Sequence, residues 1–244
     1  MSESPTRLAA IMASATSIVF DKDGTLVDLD ARWVPYFSRY VEHVARQLGD
    51  PALVAELHEL IGIDARGLVP DGPAAAETVG QIGDRVTGAL VARGHDRTAV
   101  LAASVEAAAG AEYGPLEPLG DVGGALRCLR AEGRFLGIAT SDDRSNTLVE
   151  LDSLGISALI DAVRCGDDAR AVKPDPAVLT GIAAEWGCSP GEVVFVGDSR
   201  QDLATAVAAG TQFVARCDPG SVPSWVTDHA VAAVADIGEL VLHG

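Results

Sequence analysis

Four short apolar segments, Ile18 to Phe20, Phe135 to Ala139, Val193 to Val196 and Phe213 to Ala215, are continuous rather than alternating. A strand that is apolar at every position must be covered on both faces, and parallel sheets achieve this by crossing helices over each side. Stretches with helical apolar spacing stand between these segments: Ala125 to Ala131, Asn146 to Leu154, Val178 to Trp186 and Leu203 to Ala209. Gly133, Gly155, Gly187 and Gly210 follow them as stops. Strand then helix, repeated, predicts an α/β fold with a doubly wound, mostly parallel sheet.

Residues 31 to 111 break that rhythm. Trp33, Phe37, Tyr40, Val41, Val44 and Leu48 recur at helical spacing and make one apolar face. Asp50-Pro51 reads as a helix start and Gly62 as a stop, and Ala74 to Arg93 and Asp96 to Ala109 supply two more helices. The expected organisation is a catalytic core from residues 1–30 and 112–244, with an α-helical domain, 31–111, inserted after the first strand.

The 244 residues are 48% hydrophobic, enough to fill a proper core, and carry a formal net charge of −17. Such an acidic field repels phosphodiester backbones and anionic lipid headgroups, so neither nucleic acid nor a membrane surface is expected as a partner. Cys128, Cys165, Cys188 and Cys217 form no C-x-x-C pair and read as free thiols in a reducing compartment. The five histidines, from His43 to His243, form no metal-binding spacing. After Arg7 an uncharged run leads to Phe20, with Ala13-Ser14-Ala15 like a cleavage site; Glu3 weakens it as an export signal, and Ile18 to Phe20 serve better as a strand. The expected location is cytoplasmic.

The densest chemistry lies at the end of the first strand, in Phe20-Asp21-Lys22-Asp23-Gly24-Thr25-Leu26. If extended backbone continues through this segment, Asp21 and Asp23 aim at one side, Lys22 points away from both, and Gly24 lets the chain turn. Two like charges about 4 Å apart repel by on the order of 4 kcal/mol at an effective dielectric near 20, so a dry pocket needs a cation or a shared proton. Oxygen ligands favour a hard ion such as Mg²⁺.

A second buried strand, Val193 to Val196, runs into Gly197-Asp198-Ser199-Arg200-Gln201-Asp202. Open parallel sheets bind ligands at the carboxyl ends of their strands, which allows these acids to face Asp21. Asp198 also reads as a helix cap, and Asp202 as a first-turn acid favoured by the helix dipole. Thr140 and Ser141 follow the strand Phe135 to Ala139, where they can bind an anion or cap the next helix. Lys173, in Lys173-Pro174-Asp175-Pro176, is conspicuous because the chain has sixteen arginines but no lysines besides Lys22 and Lys173. A compact ammonium in so Arg-biased a chain suggests a geometric requirement. Asp21, Asp23 and Asp198 against Lys173 and one divalent ion sum to zero, so a phosphate dianion is then tolerated.

These residues resemble the four motifs of the haloacid dehalogenase superfamily: Asp21-x-Asp23-Gly24-Thr25, Thr140, Lys173, and Gly197-Asp198 followed by Asp202. The resemblance covers residues 16–30 and 112–244 and is nearest to phosphoglycolate phosphatase-like members with a helical cap at this insertion point. It implies a Mg²⁺-dependent phosphatase acting on a small phosphorylated metabolite, phosphoglycolate-like or a phosphosugar. Asp21 would be the nucleophile, forming an aspartyl-phosphate, and Asp23 the general acid and base. Mg²⁺ would be held by the Asp21 carboxylate, the Asp23 backbone carbonyl and Asp198, with Asp202 orienting that shell. Thr140, Ser141 and Lys173 would hold phosphoryl oxygens, Lys173 also neutralising Asp21.

Asp23 argues for phosphoryl transfer, because dehalogenating members lack this second acid. Lys22 stands where relatives are often apolar; pointing away from Asp21 and Asp23, it reads as supporting the site from behind or facing the helical insertion, and receives no catalytic role. Substrate choice is expected in the helical insertion, with Trp33 and the turn Gly67-Leu68-Val69-Pro70-Asp71-Gly72-Pro73 as candidates. Two alternatives use the same fold: a phosphosugar mutase of the β-phosphoglucomutase kind, and a phospho-ligand-binding module without turnover. Oligomeric state is not readable from the sequence.

Overall fold

The computed structural model describes residues 4–169, 171–220, 222–229 and 232–241; Glu3 and His243 lie outside them. The chain divides into two compact units, Met1–Asp28 with Pro118–Gly244, and Leu29–Glu117.

In the first unit, six strands form one sheet. They are β1 (Ser17–Phe20), β4 (Phe135–Ala139), β5 (Ala162–Arg164), β6 (Val193–Gly197), β7 (Gln212–Arg216) and β8 (Ala232–Val234), β2 (Ile63–Asp64) and β3 (Gly67–Leu68) belonging to the other unit. Their order is β5-β4-β1-β6-β7-β8, and every pairing is parallel. β1 lies centrally because all four of its residues are buried, so it is paired on both edges, Phe20 aligning with Ile138 and with Val196. Helices Val122–Ala131, Arg144–Ser153, Ala177–Trp186 and Arg200–Ala209 connect the strands. Gly187 and Gly210 end two of these helices in left-handed conformation. Val19, Leu179, Ile182, Phe195, Phe213 and Trp225 are among the buried residues of one continuous apolar core.

β5 and β8 were not among the expected strands: both lie at edges of the sheet, β5 with only Ala162 and Val163 between Asp161 and Arg164, and β8 within an Ala-rich run of low β-propensity. The Ser4–Ser14 segment is helical, and Ile18 to Phe20 are fully buried in β1. No helix among the described residues is long and apolar enough to cross a membrane.

The second unit opens with the helix Leu29–Gln47, whose apolar stripe buries Trp33, Tyr36, Phe37, Tyr40, Val41 and Val44. Helix Leu53–Ile61 ends at Gly62, at φ 81°, as the sequence suggests. The stretch expected as one helix from Ala74 to Arg93 is instead two, Pro73–Ala76 and Val79–Ala92, because Thr78 and Gln81 form a reciprocal capping box that starts the second. Asp96 caps the last helix, Arg97–Gly110. Residues 112–117, expected in the core, cluster with the helices: the Tyr113 ring stacks on Tyr36 at 4.6 Å, and the Gly114 N–H donates to the Arg32 carbonyl.

Trp33 is 6% exposed and packs on Tyr36, Phe37 and Tyr113, so its place in the helix's apolar stripe explains it. The Gly67 to Pro73 turn contributes β3 to a small hairpin with β2 and is held by Asp30, whose Oδ1 accepts the Leu68 N–H.

Candidate active site

β1, β4 and β6 are adjacent and parallel, so the residues that follow them leave the same edge of the sheet. Asp21 follows β1, and its N–H donates to the Val196 carbonyl at 2.8 Å, continuing the β1–β6 ladder by one bond. Thr140 follows β4, its N–H donating to the Arg164 carbonyl at 2.9 Å. Asp198 follows β6.

The carboxylates of Asp21, Asp198 and Asp202 offer oxygens all within 4.8 Å of one another. Lys173, 7% exposed, reaches into this group: its Nζ donates to Asp21 Oδ1 at 2.8 Å and to Asp202 Oδ1 at 2.7 Å. Three carboxylates against one ammonium leave two negative charges, the complement of a divalent cation. Burial first, then the Asp202 and Asp23 charges, push Asp21 up to about 7 despite Lys173. Burial and the charges of Asp21 and Asp202 likewise hold Asp198 well above the ordinary carboxylate range. For Lys173, burial alone would depress the pKa, but Asp202 and Asp21 outweigh it and keep the ammonium protonated. A cluster of hard oxygen donors with unneutralised charge fits a hard divalent ion, and it has no thiolate or imidazole to favour a softer one.

Several residues given no role from sequence hold this cluster together. Thr25, fully buried, donates its hydroxyl to Asp198 Oδ1 at 2.9 Å. Ser199, not Asp198, caps the helix Arg200–Ala209, so the cap reading of Asp198 is corrected. The Ser199 hydroxyl donates to Asp202 Oδ2 at 2.6 Å, leaving Oδ1 to Lys173. Gln201 donates to the Lys173 carbonyl at 3.0 Å and accepts from the Ser141 hydroxyl at 3.3 Å, joining two of the candidate phosphate-binding segments. Gly197 has no room for a side chain, since a Cβ there would come 2.6 Å from Asp202. The signal for Thr25, Gly197, Ser199 and Gln201 was their place inside the acidic motifs, which does not tell what each one bonds.

Thr140 is 4% exposed, and its hydroxyl accepts the Asp142 N–H at 3.1 Å. It therefore orders the turn after β4 rather than capping the helix Arg144–Ser153, whose N-cap residue is Asp143.

The expected orientation of Lys22 is overturned. Its side chain is completely buried, and its Nζ lies 2.7 Å from Asp23 Oδ2, 3.1 Å from Asp142 Oδ2 and against Glu150 Oε2. The alternation rule fails because β1 ends at Phe20: the Lys22 carbonyl accepts N–H bonds from Thr25, Leu26 and Val27, which curl the chain into a turn. Asp23, through its carboxylate, therefore faces an ammonium and does not join the Asp21, Asp198 and Asp202 cluster.

A family model described as haloacid dehalogenase-like hydrolase matches residues 18–216. Phosphoglycolate phosphatase of Cereibacter sphaeroides is 33% identical over 207 residues, 80% of this chain and 82% of that protein. Phosphoglycolate phosphatase 1 of Pseudomonas aeruginosa is 30% identical over 199 residues, 81% of this chain and 68% of that protein. Among solved structures, an HAD phosphatase from Thermococcus onnurineus superposes with a TM-score of 0.63 at 22% identity, covering 92% of this chain and 95% of that one. An HAD-superfamily hydrolase from Geobacter sulfurreducens gives 0.61 at 18% identity, over 93% and 95%.

Proposed function

Because the chain belongs to the haloacid dehalogenase-like hydrolase family, we propose that it is a Mg²⁺-dependent phosphomonoesterase that hydrolyses a small phosphorylated metabolite through an aspartyl-phosphate. The observation that carries this reading is the Asp21 carboxylate, held by Lys173 at 2.8 Å within a cluster of acids at the carboxyl edge of a parallel sheet. The named relatives make phosphoglycolate the first substrate to test.

Asp21, Asp198 and Asp202 would hold the cation with the Asp23 carbonyl; when bound, it supplies positive charge against the phosphoryl oxygens. Asp21 attacks phosphorus with the oxygen not committed to Lys173, and the ester oxygen departs with a proton from Asp23. Asp23 then takes a proton from the water that cleaves the aspartyl-phosphate, which splits one very slow hydrolysis into two easier displacements. Lys173 holds Asp21 in place and offers its charge to the transferring group, and Thr140 and Ser141 supply hydrogen bonds to phosphoryl oxygens. The helical unit Leu29–Glu117 selects the substrate, since the sheet-edge residues address phosphate alone.

The test is a screen of small phosphate esters in Mg²⁺, scored for free phosphate, with the Asp21→Asn variant as blank. Release above that blank from phosphoglycolate or a phosphosugar supports the reading. An isomerised sugar phosphate without free phosphate, or tight binding without turnover, overturns it.

A further inference from the structure

Lys22 is a completely buried charge that the reaction outlined above leaves unused. Its backbone is fixed by three N–H bonds to its carbonyl, and its ammonium is fixed by two acids from distant sequence, Asp142 and Glu150. Both acids are themselves anchored. Asp142 Oδ1 accepts the Asp143 N–H at 2.7 Å, and Oδ2 accepts Asn146 Nδ2 at 2.5 Å. Glu150 is 1% exposed on the helix Arg144–Ser153. The remaining contact of the ammonium is Asp23, whose side chain is 11% exposed against 0–3% for Lys22, Asp142 and Glu150. Asp23 is thus the one member of this ion cluster that also reaches the open side.

Burial alone would strip the charge from Lys22, but Asp23, Asp142 and Glu150 outweigh it and hold its pKa above the ordinary lysine value. The two lysines of the chain therefore do parallel things: Lys173 holds Asp21, and Lys22 holds Asp23. An Asp23 carboxylate without that ammonium would be drawn to any cation bound by Asp21, Asp198 and Asp202, two residues away in the chain. A permanent charge on the other side of the turn counters that pull.

We propose that Lys22, braced by Asp142 and Glu150, is the positioning residue for Asp23: it aims the Asp23 carboxyl at the leaving oxygen and keeps it out of the cation cluster. The inference rests on the phosphomonoesterase reading, and deepens it by giving the proton-transfer group its own support.

A leaving group that needs no proton separates positioning from general structural support. In Lys22→Met, kcat/KM for an alkyl phosphate, which must be protonated as it departs, is expected to fall about 100-fold or more, while that for p-nitrophenyl phosphate falls less than about 10-fold. In an Asp23→Asn background the same Lys22→Met change should cost the alkyl ester nothing further, because the group it positions is gone. If Lys22→Met does not fold, Glu150→Gln, of the same shape, should show the same selectivity, with a several-fold loss confined to the alkyl ester. Equal losses on both esters, or losses that multiply in the double variant, overturn the assignment of Lys22. Wild-type protein that releases phosphate from neither ester, nor from phosphoglycolate or a phosphosugar, overturns the phosphomonoesterase reading instead.

Discussion

A Cβ placed on Gly24 would come 2.2 Å from Oδ2 of Asp198. The first acidic motif and the last are therefore in van der Waals contact at this glycine, beside the Thr25 hydrogen bond to the same aspartate. Gly24 also sits at φ +85°, a conformation L side chains rarely adopt. Gly24→Ala should destabilise the fold by about 1–3 kcal/mol in chemical denaturation. It should also raise the Mg²⁺ concentration for half activation by about 10-fold or more, as displaced ligands do. A variant with a wild-type Mg²⁺ titration would show that Asp198 does not serve the metal.

Asp21→Asn keeps the size of the side chain and removes the attacking oxygen's charge. Phosphate release should fall by on the order of 10⁴ or more, with circular dichroism and melting behaviour retained. A rate near wild type would remove the nucleophile from position 21.

Lys173→Met leaves Asp21 and Asp202 buried without the ammonium they share. Breaking a buried pair in this way costs roughly 3–5 kcal/mol. Part of that loss should return on adding Mg²⁺, which offsets the same charges, so the variant should gain more from the metal than wild type does. Equal gains in thermal melts would argue that lysine and cation address different acids.

The pH dependence of metal-free stability follows from Asp21. Its pKa is raised from 3.8 to about 7, chiefly by burial, so the folded chain holds that proton more tightly than the unfolded chain does. Between these values the native state binds more protons, and stability must fall as pH rises through the window. Relative to Asp21→Asn, which does not titrate there, wild type in EDTA should lose stability from about pH 4 to about pH 7. Below about pH 7 the metal must displace a proton, so Mg²⁺ stabilisation should grow as pH rises. A difference between the two proteins that is flat with pH would refute the assigned titration.

The sheet was legible where bulky apolar residues run together: β1, β4, β6 and β7 could be read directly, whereas β5 has only two apolar residues and β8 is mostly alanine, which marks a strand no better than a helix. The acidic motifs were legible because strand ends in a parallel sheet gather on one side whatever their separation in sequence. Lys22 was misread for a local reason, the end of extended backbone at Phe20, and for a distant one, since Asp142 and Glu150 lie 120 and 128 residues further on. The scarcity of lysine is visible in the sequence and applies to Lys22 as much as to Lys173. Thr25 and Gln201 act through side-chain bonds to residues remote in sequence, and no periodicity announces such bonds.

The backbone on either side of the inserted helices is stitched together: Val27 forms a bridge with Pro118, and the Leu119 N–H donates to the Leu26 carbonyl at 2.9 Å. The two cut ends of the catalytic unit thus close on each other by their own hydrogen bonds, irrespective of what is spliced between them. Such a seam makes the insert exchangeable: a descendant gene can lengthen, shorten or replace that block and still inherit the acids intact, with chemistry and selectivity free to diversify on separate schedules.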